Sequence, residues 1–406
     1  MCLGLAYRQT LQGRTVFISY SGRVSLAESL CYRYALNGGA NLSTWATKVH
    51  CGASALLGSV CNRAICHTAA LHASMHPKPA QANSSAKGLL APVWIDCDAG
   101  SDDALGILVA ARANIVGISS VRGNTAAEQV SKNVLRVLSL CSRQEVPVFT
   151  GADISLNGQQ QPLPEWSGQD GLNDQPDVVP SSASVTAKPA SGKASQKLVE
   201  AAQSHAGSLT VIASGPLTNL AHALQLDPQF VTNVQRLVIM GGNESYNEST
   251  STGAEFNFYC DPDAADLVIR KFSGKATLLT WECMQNNALP GSIATKVAAK
   301  DTQRARFITA ICGLNRTDKD SEHKWVPCDP LAFAVALSRS IILAANSVHC
   351  KVETQAADRR GQTSFADQVT DTALPEDQGG VVCKVNKVDT ARFAEAITHC
   401  IDATND

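Results

Sequence analysis

The sequence predicts an α/β protein with a mostly parallel central sheet and helices on both faces. Three observations lead there. From residue 92 onward, short β-rich apolar runs alternate with segments of helical character. The polar clusters with chemical potential fall just after the strand runs, where open parallel sheets place their ligands. The chain is 406 residues long, 44% hydrophobic and 17% charged, which supplies a large core and suits one large domain or two ordinary ones.

The elements follow in order. "APVWIDCD" (91–98) reads as the first strand, followed by the Gly100 turn and a helical "SDDALGILVAAR" (101–112). "NIVGISSV" (114–121) is the second strand. Gly123 and a helix through "AAEQVSKNVLRVLSLC" (126–141) follow it, and "VPVFTG" (146–151) is a third strand. Residues 153–192, rich in Gln, Pro, Ser and Gly, read as a long surface loop. "SLTVIAS" (208–214), the turn "GPLTN" (215–219), the helix "LAHALQLD" (220–227) and the strand "VQRLVIMGG" (234–242) complete the pattern. Four polar clusters then lie at strand ends: 96–103, 122–125, 214–219 and 241–257.

The first ninety residues differ. They carry Arg8, Arg14, Arg23, Arg33, Lys48, Arg63, Lys78 and Lys87 against the single acid Glu28. Basic, Ser-rich, acid-poor composition is that of a transit segment. The competing reading is a misassembled segment never selected to fold. Residues 1–90 are therefore expected to be a disordered or transit extension, with 76–88 a linker and 91–406 the folded domain. The location expected is cytoplasmic, or organellar if the extension is a targeting segment. Net charge is −2, which gives no preference for nucleic acid or a membrane surface. No apolar run of about 18 residues suggests a span. The fourteen cysteines are scattered, without a CxxC pair, and read as free thiols in a reducing compartment. "CNRAIC" (61–66), with His67 and His72 nearby, is too loosely spaced for a usual zinc site.

Asp96, Asp98, Asp102 and Asp103 crowd one short stretch between two apolar segments. Like charges so close repel, and burying them raises the cost. A helix cap explains one of them. A calcium loop of the EF-hand type fails, because a count from Asp96 puts Ser101 where Gly is needed and Ile107 where Glu is needed. A phosphoryl-transfer loop with Asp96 as nucleophile leaves the Asp102–Asp103 pair unexplained. A hard divalent cation uses all four: Asp98 and Asp103 on the ion, Asp102 toward a substrate hydroxyl, Asp96 supporting from behind.

"DCDAGSDDA" (96–104) resembles the DxDxGxDDA signature of the inosine–uridine-type nucleoside hydrolases. "VRGNT" (121–125), "SGPLTNLAHAL" (214–224), "VIMGGN" (238–243), "AEFNFYCDPDAA" (254–265) and "CDPLAFAVAL" (328–337) resemble that family's later motifs in its order. The resemblance spans about residues 93–393. It implies a Rossmann-like hydrolase fold and Ca²⁺-dependent cleavage of ribonucleosides to ribose and free base. It implies Ca²⁺ held by Asp98, Asp103, Asp329 and the backbone carbonyl of Ser214, with Asp98 also the general base. Asp102, Asn124, Glu255 and Asn257 would grip the ribose. It further implies a small-molecule nucleoside substrate and a homodimer or homotetramer; no nucleic-acid or membrane partner is expected from the charge and the lack of a span.

Three positions depart from the family pattern. Cys328 stands where many members place the histidine that protonates the leaving base. Ser167 replaces another histidine. Ser249 stands where a ribose-binding asparagine is usual, with Asn247 and Asn243 as substitutes. Trp166 is the best candidate to stack on a base, ahead of Trp281 and Trp325. Asn219 reads as a helix cap and Asp261 as an N-cap. The alternative to an enzyme is a nucleoside- or ribose-binding protein that kept the metal site and lost the leaving-group acid.

Overall fold

The computed structural model describes residues 91–314, 324–366 and 379–403, and the backbone of two strands near the N-terminus. The chain divides into two compact units, Met1–Gly88 and Leu89–Asp406. In the first, Ala6–Leu11 pairs antiparallel with Arg14–Ser19. The rest of the expected extension, the 61–72 Cys/His cluster and the 76–88 linker lie outside the described residues.

The second unit is built on a nine-stranded sheet. Its strands are β1 (Pro92–Cys97), β2 (Asn114–Ser120), β3 (Val148–Phe149), β4 (Leu209–Ala213), β5 (Val234–Met240), β6 (Ala276–Leu279), β7 (Ile342–Val352), β8 (Thr363–Ala366) and β9 (Gly380–Val388). Their spatial order is β8-β7-β9-β6-β5-β4-β1-β2-β3. All neighbours are parallel except the pairs that β7 makes with β8 and β9. The expected mostly parallel sheet is present, and the antiparallel edge belongs to the C-terminal part, where no strand was assigned from sequence.

Helices cover both faces. α1 (Ser101–Val109), α2 (Ala127–Leu140), α3 (Ala194–Ser204), α4 (Thr218–Leu226), α5 (Phe256–Cys260), α6 (Pro262–Lys271), α7 (Cys328–Leu337) and α8 (Thr390–Asp402) are those that matter here. The period-2 pleat of β1 divides its residues between two cores. Val93, Ile95 and Cys97 join the core under α1, α2, α7 and α8. Trp94 joins the core under α3, α4 and α6. The loop at 153–192 is irregular as expected, apart from a 3₁₀ turn at Ser182–Ser184. Among the described residues, no helix is long and apolar enough to cross a membrane.

Two packing features position the site. From β1 the chain runs outward to β2 and β3 and then returns to β4 on the other side of β1. This reversal opens a crevice at the carboxyl ends of β1 and β4, the usual ligand position in such sheets. Leu105, Ile107 and Leu108 of α1 are fully buried. Each contributes roughly 1.5–3 kcal/mol, which holds the charged N-terminus of α1 against its repulsive surroundings.

Candidate active site

Burial concentrates carboxylates at the crevice. Asp96, Asp98, Asp103 and Asp329 are buried, and Asp102 is partly exposed. Asp102 and Asp103 occupy the first turn of α1, where the helix dipole favours negative charge. Asp329 occupies the first turn of α7. Asp102, Asp103 and Asp329 each offer a carboxylate oxygen, all within 4.8 Å of one another. Asp98 is outside that trio but within hydrogen-bond reach of Asp103.

The backbone around Asp98 is fitted to it. Asp98 Oδ2 accepts from the Asn124 backbone N–H at 2.8 Å and from Asn124 Nδ2 at 3.1 Å. Gly123 packs directly on that carboxylate, so any β-carbon there would collide with it. Asp103 Oδ2 accepts from the Gly100 N–H at 3.0 Å, and its Oδ1 accepts from Ser214 Oγ at 2.6 Å. Ala99, between the acidic residues, has φ of +24°, a strained value for a residue with a β-carbon.

Electrostatics follow from the crowding. Burial pushes Asp98 up to about 7, and its bond from Asn124 opposes the shift. Burial, then the neighbouring carboxylates, push Asp103 and Asp329 well above the carboxylate range. Burial also raises Asp102. A cation among these oxygens would relieve all four. The donor set is oxygen only, which suits a hard divalent ion. A 4.8 Å spread of oxygens is compatible with bonds of about 2.3–2.6 Å to one Ca²⁺. The residues present therefore fit such an ion.

Asp96 stands behind this group. Its Oδ1 accepts from Ser119 Oγ and from Asn219 Nδ2, while Oδ2 is buried without a partner. Burial pushes its carboxyl up to about 7, against those two bonds. Asn219 is not a helix cap: α4 has no side-chain cap. Instead Asn219 Nδ2 donates to Asp96 and to the Ser120 carbonyl, and its Oδ1 accepts from the Ala152 N–H at 2.9 Å. It thus fastens the ends of three strands. Asp261 does cap α6, accepting from the Ala264 N–H at 3.1 Å, and it also binds Leu156 N–H and Thr218 Oγ1.

The residues expected on the sugar are already partly engaged. Both Glu255 oxygens accept backbone N–H bonds, from Asn257, Phe258 and Gly242, so this side chain caps α5. Asn257 Nδ2 donates to the carbonyls of Ser214 and Met240, which leaves its amide oxygen for a ligand. The Ser214 carbonyl expected on the metal is the one that accepts from Asn257. Asn247 Oδ1 accepts from the N–H and Oγ of Ser249, closing a local turn. Asn243 braces the same loop through Ser245, Gly253 and Glu255.

On the leaving-group side, Cys328 is buried at the start of α7 and its Sγ donates to the Val326 carbonyl at 3.6 Å. Burial, then Asp102 and Glu255, push its thiol well above the usual range. Ser167 Oγ donates to the Asn124 carbonyl at 3.3 Å. Trp166 is 53% exposed and stands edge-on to Phe256, with centroids 5.0 Å apart. Its Nε1 donates to Asn124 Oδ1 at 3.4 Å. Trp281 and Trp325 pack against the core.

A mostly parallel α/β sheet with a buried cluster of carboxylates at its switch point defines a class of ligand-binding α/β domains. Within that class, residues 93–395 match the family model of the inosine-uridine preferring nucleoside hydrolases, and the chain belongs to that family. It is 36% identical over 181 residues to probable uridine nucleosidase 2 of Arabidopsis thaliana, covering 43% of this chain and 55% of that protein. The match thus spans about half the length of that relative. It is 29% identical over 272 residues to probable uridine nucleosidase 1 of Oryza sativa subsp. japonica, covering 64% of this chain and 81% of that one. A solved plant nucleoside hydrolase, the PpNRh1 enzyme, superposes with a TM-score of 0.66 at 25% identity, covering 77% of this chain and 99% of its own.

Proposed function

We propose that the protein hydrolyses the N-glycosidic bond of ribonucleosides, with bound Ca²⁺, to give ribose and a free base. The observation that carries this reading is the convergence of Asp102, Asp103 and Asp329 beside Asp98. Family membership supports the reaction class. Asp98, Asp103, Asp329 and the Ser214 carbonyl would hold the ion, and the trio's geometry keeps Asp102 close enough to bind the ion or a sugar hydroxyl; we assign it the hydroxyl. When bound, the ion lowers the pKa of a water molecule.

The chain's own residues do the rest. Asp98, held by Asn124, accepts the proton of the attacking water. As the C–N bond lengthens, positive charge builds on the ribose ring. The fixed carboxylates stabilise it from positions set before reaction begins. Asp102, Asn124 and Asn257 orient the ribose, and Glu255 holds the segment that carries Asn257. Trp166 at the rim offers a face to the base.

The competing reading, a nucleoside-binding protein without turnover, draws on Cys328, whose thiol is buried and bonded to backbone. Purified protein incubated with uridine, inosine and other nucleosides, and assayed for reducing sugar, separates the two. Ribose release supports hydrolysis. No release from any nucleoside, with measurable nucleoside binding, supports the binder.

A further inference from the structure

Asn133 lies inside α2, buried, and its amide bonds none of the crevice carboxylates Asp96, Asp98, Asp102, Asp103 and Asp329. Its amide is fully engaged. Nδ2 donates to the Ala99 carbonyl at 3.1 Å and to the Asp170 carbonyl at 2.7 Å. Its Oδ1 accepts from Gln129 Nε2 at 3.0 Å, which fixes the orientation of the amide. The two carbonyls belong to different loops. Ala99 is the residue at φ of +24° between Asp98 and the Asp102–Asp103 pair. Asp170 sits in the loop that carries Trp166 and Ser167. Gly171, at φ of +79°, keeps that loop close: a β-carbon there would come within 3.2 Å of Asn133 Nδ2.

The two loops also meet at Asn124. Ser167 Oγ and Trp166 Nε1 both bond Asn124, and Asn124 in turn bonds Asp98. Thr125 Oγ1 adds a bond to the Gln169 carbonyl at 3.2 Å. Asn133 adds the direct link between the Ala99 and Asp170 carbonyls.

We infer that Asn133 is a positioning residue that locks the 166–174 loop to the carboxylate loop, so that base and ribose are gripped in one register. This rests on the proposed reading of the crevice as a nucleoside site. A carbonyl pair that loses its shared donor is held only by the bonds through Asn124 and Thr125, and buried unpaired carbonyls carry a penalty. Loss of the link should therefore weaken the grip on the base more than the chemistry at the sugar.

The test compares Asn133→Ala with wild type on uridine and on p-nitrophenyl riboside, which asks less of the base-side loop. The inference expects KM for uridine to rise about tenfold, the size of one lost buried hydrogen bond. It expects at most about a threefold change on the activated riboside. A merely structural role would lower the active fraction, reducing kcat on both substrates alike with KM unchanged, and that result overturns the inference. Gln129→Ala, at a partly exposed position, frees the Asn133 amide without removing it. It should raise KM for uridine in the same direction by about two- to threefold, and it decides the matter if Asn133→Ala does not fold; an unchanged KM overturns the inference. If wild type turns over no nucleoside, the hydrolase reading fails. The dissociation constant for uridine, from calorimetry, then replaces KM: tenfold weaker binding in Asn133→Ala upholds the link and equal binding overturns it.

Discussion

Gly106 of α1 lies against the ring of Phe333 on α7, so closely that a β-carbon on Gly106 would sit 2.6 Å from two ring atoms. That approach is what brings Asp103, three residues earlier on α1, to Asp329, four residues earlier on α7. Gly106→Ala gains up to about 1 kcal/mol of helix propensity. It must nevertheless push the ring or the helices apart, because ring atoms 2.6 Å away leave no room for a methyl in a close-packed interior. The expected outcome is weaker Ca²⁺ binding by at least about tenfold, read by calorimetry, with partial recovery in Gly106→Ala/Phe333→Leu. Unchanged affinity in the single variant would show that the helix spacing does not set the ion site.

Cys328 is expected from the sequence resemblance at the position of the family's usual leaving-group acid, yet its thiol donates to Val326 and is pushed well above its ordinary pKa by burial. A thiol is a weak hydrogen-bond donor. Cys328→Ala should therefore lose less than the roughly hundredfold expected on removal of a true general acid. Kinetics on inosine and p-nitrophenyl riboside check this. A much larger loss on inosine, with full activity on the activated riboside, would make the thiol the acid.

Glu255 gives a pH signature. Burial pushes its carboxyl up to about 7 from 4.5, and its bonds from Asn257, Phe258 and Gly242 only partly offset that. The folded state therefore holds this proton more tightly than the unfolded state does. Stability from this group is fully present below about 4.5 and is lost as pH rises through about 7, by roughly 3 kcal/mol in all. Melting curves from pH 4.5 to 8 should show wild type losing stability relative to Glu255→Gln across that window. A parallel pair of curves would contradict the assignment.

The fold was legible because the strand runs and helical segments alternate in one register along 91–242. The carboxylates were legible because four acids between apolar runs demand a counter-charge. Other features depend on contacts that no local pattern carries. Asn219 looks like a cap in "GPLTN", but it bonds Asp96, Ser120 and Ala152, residues brought near it only by the sheet order. Asn133 is one polar residue in an amphipathic helix, and its partners lie in loops on either side of it in sequence. Glu255 and Asn257, two apart, suggest an extended segment with both side chains facing one way; the backbone instead turns into α5, and Glu255 caps it. The antiparallel edge was missed because no tight turn marks its pairing: an irregular segment, 353–362, separates Val352 of β7 from Thr363 of β8.

The division between Met1–Gly88 and Leu89–Asp406 gives a simple deletion. A chain starting at Leu89 keeps all of β1 and the whole carboxylate site. It should be soluble, melt within a few degrees of the full chain and keep its activity. Insolubility or a much lower melting temperature would place the first segment within the fold.

The central claim is that the carboxylate cluster holds a Ca²⁺ ion without which the nucleoside bond is not cleaved. Calorimetric titration of Ca²⁺ into chelator-stripped wild type and Asp103→Ala, with uridine turnover measured on the same samples, tests it most directly. Asp103 bonds both Gly100 and Ser214 at the centre of the trio, so its removal takes away a ligand and leaves the remaining acids without their counter-ion. The expected result is one Ca²⁺ site in wild type, turnover that returns as that site fills, and neither binding nor turnover in Asp103→Ala. Turnover by stripped wild type, or unchanged Ca²⁺ affinity in Asp103→Ala, would contradict it.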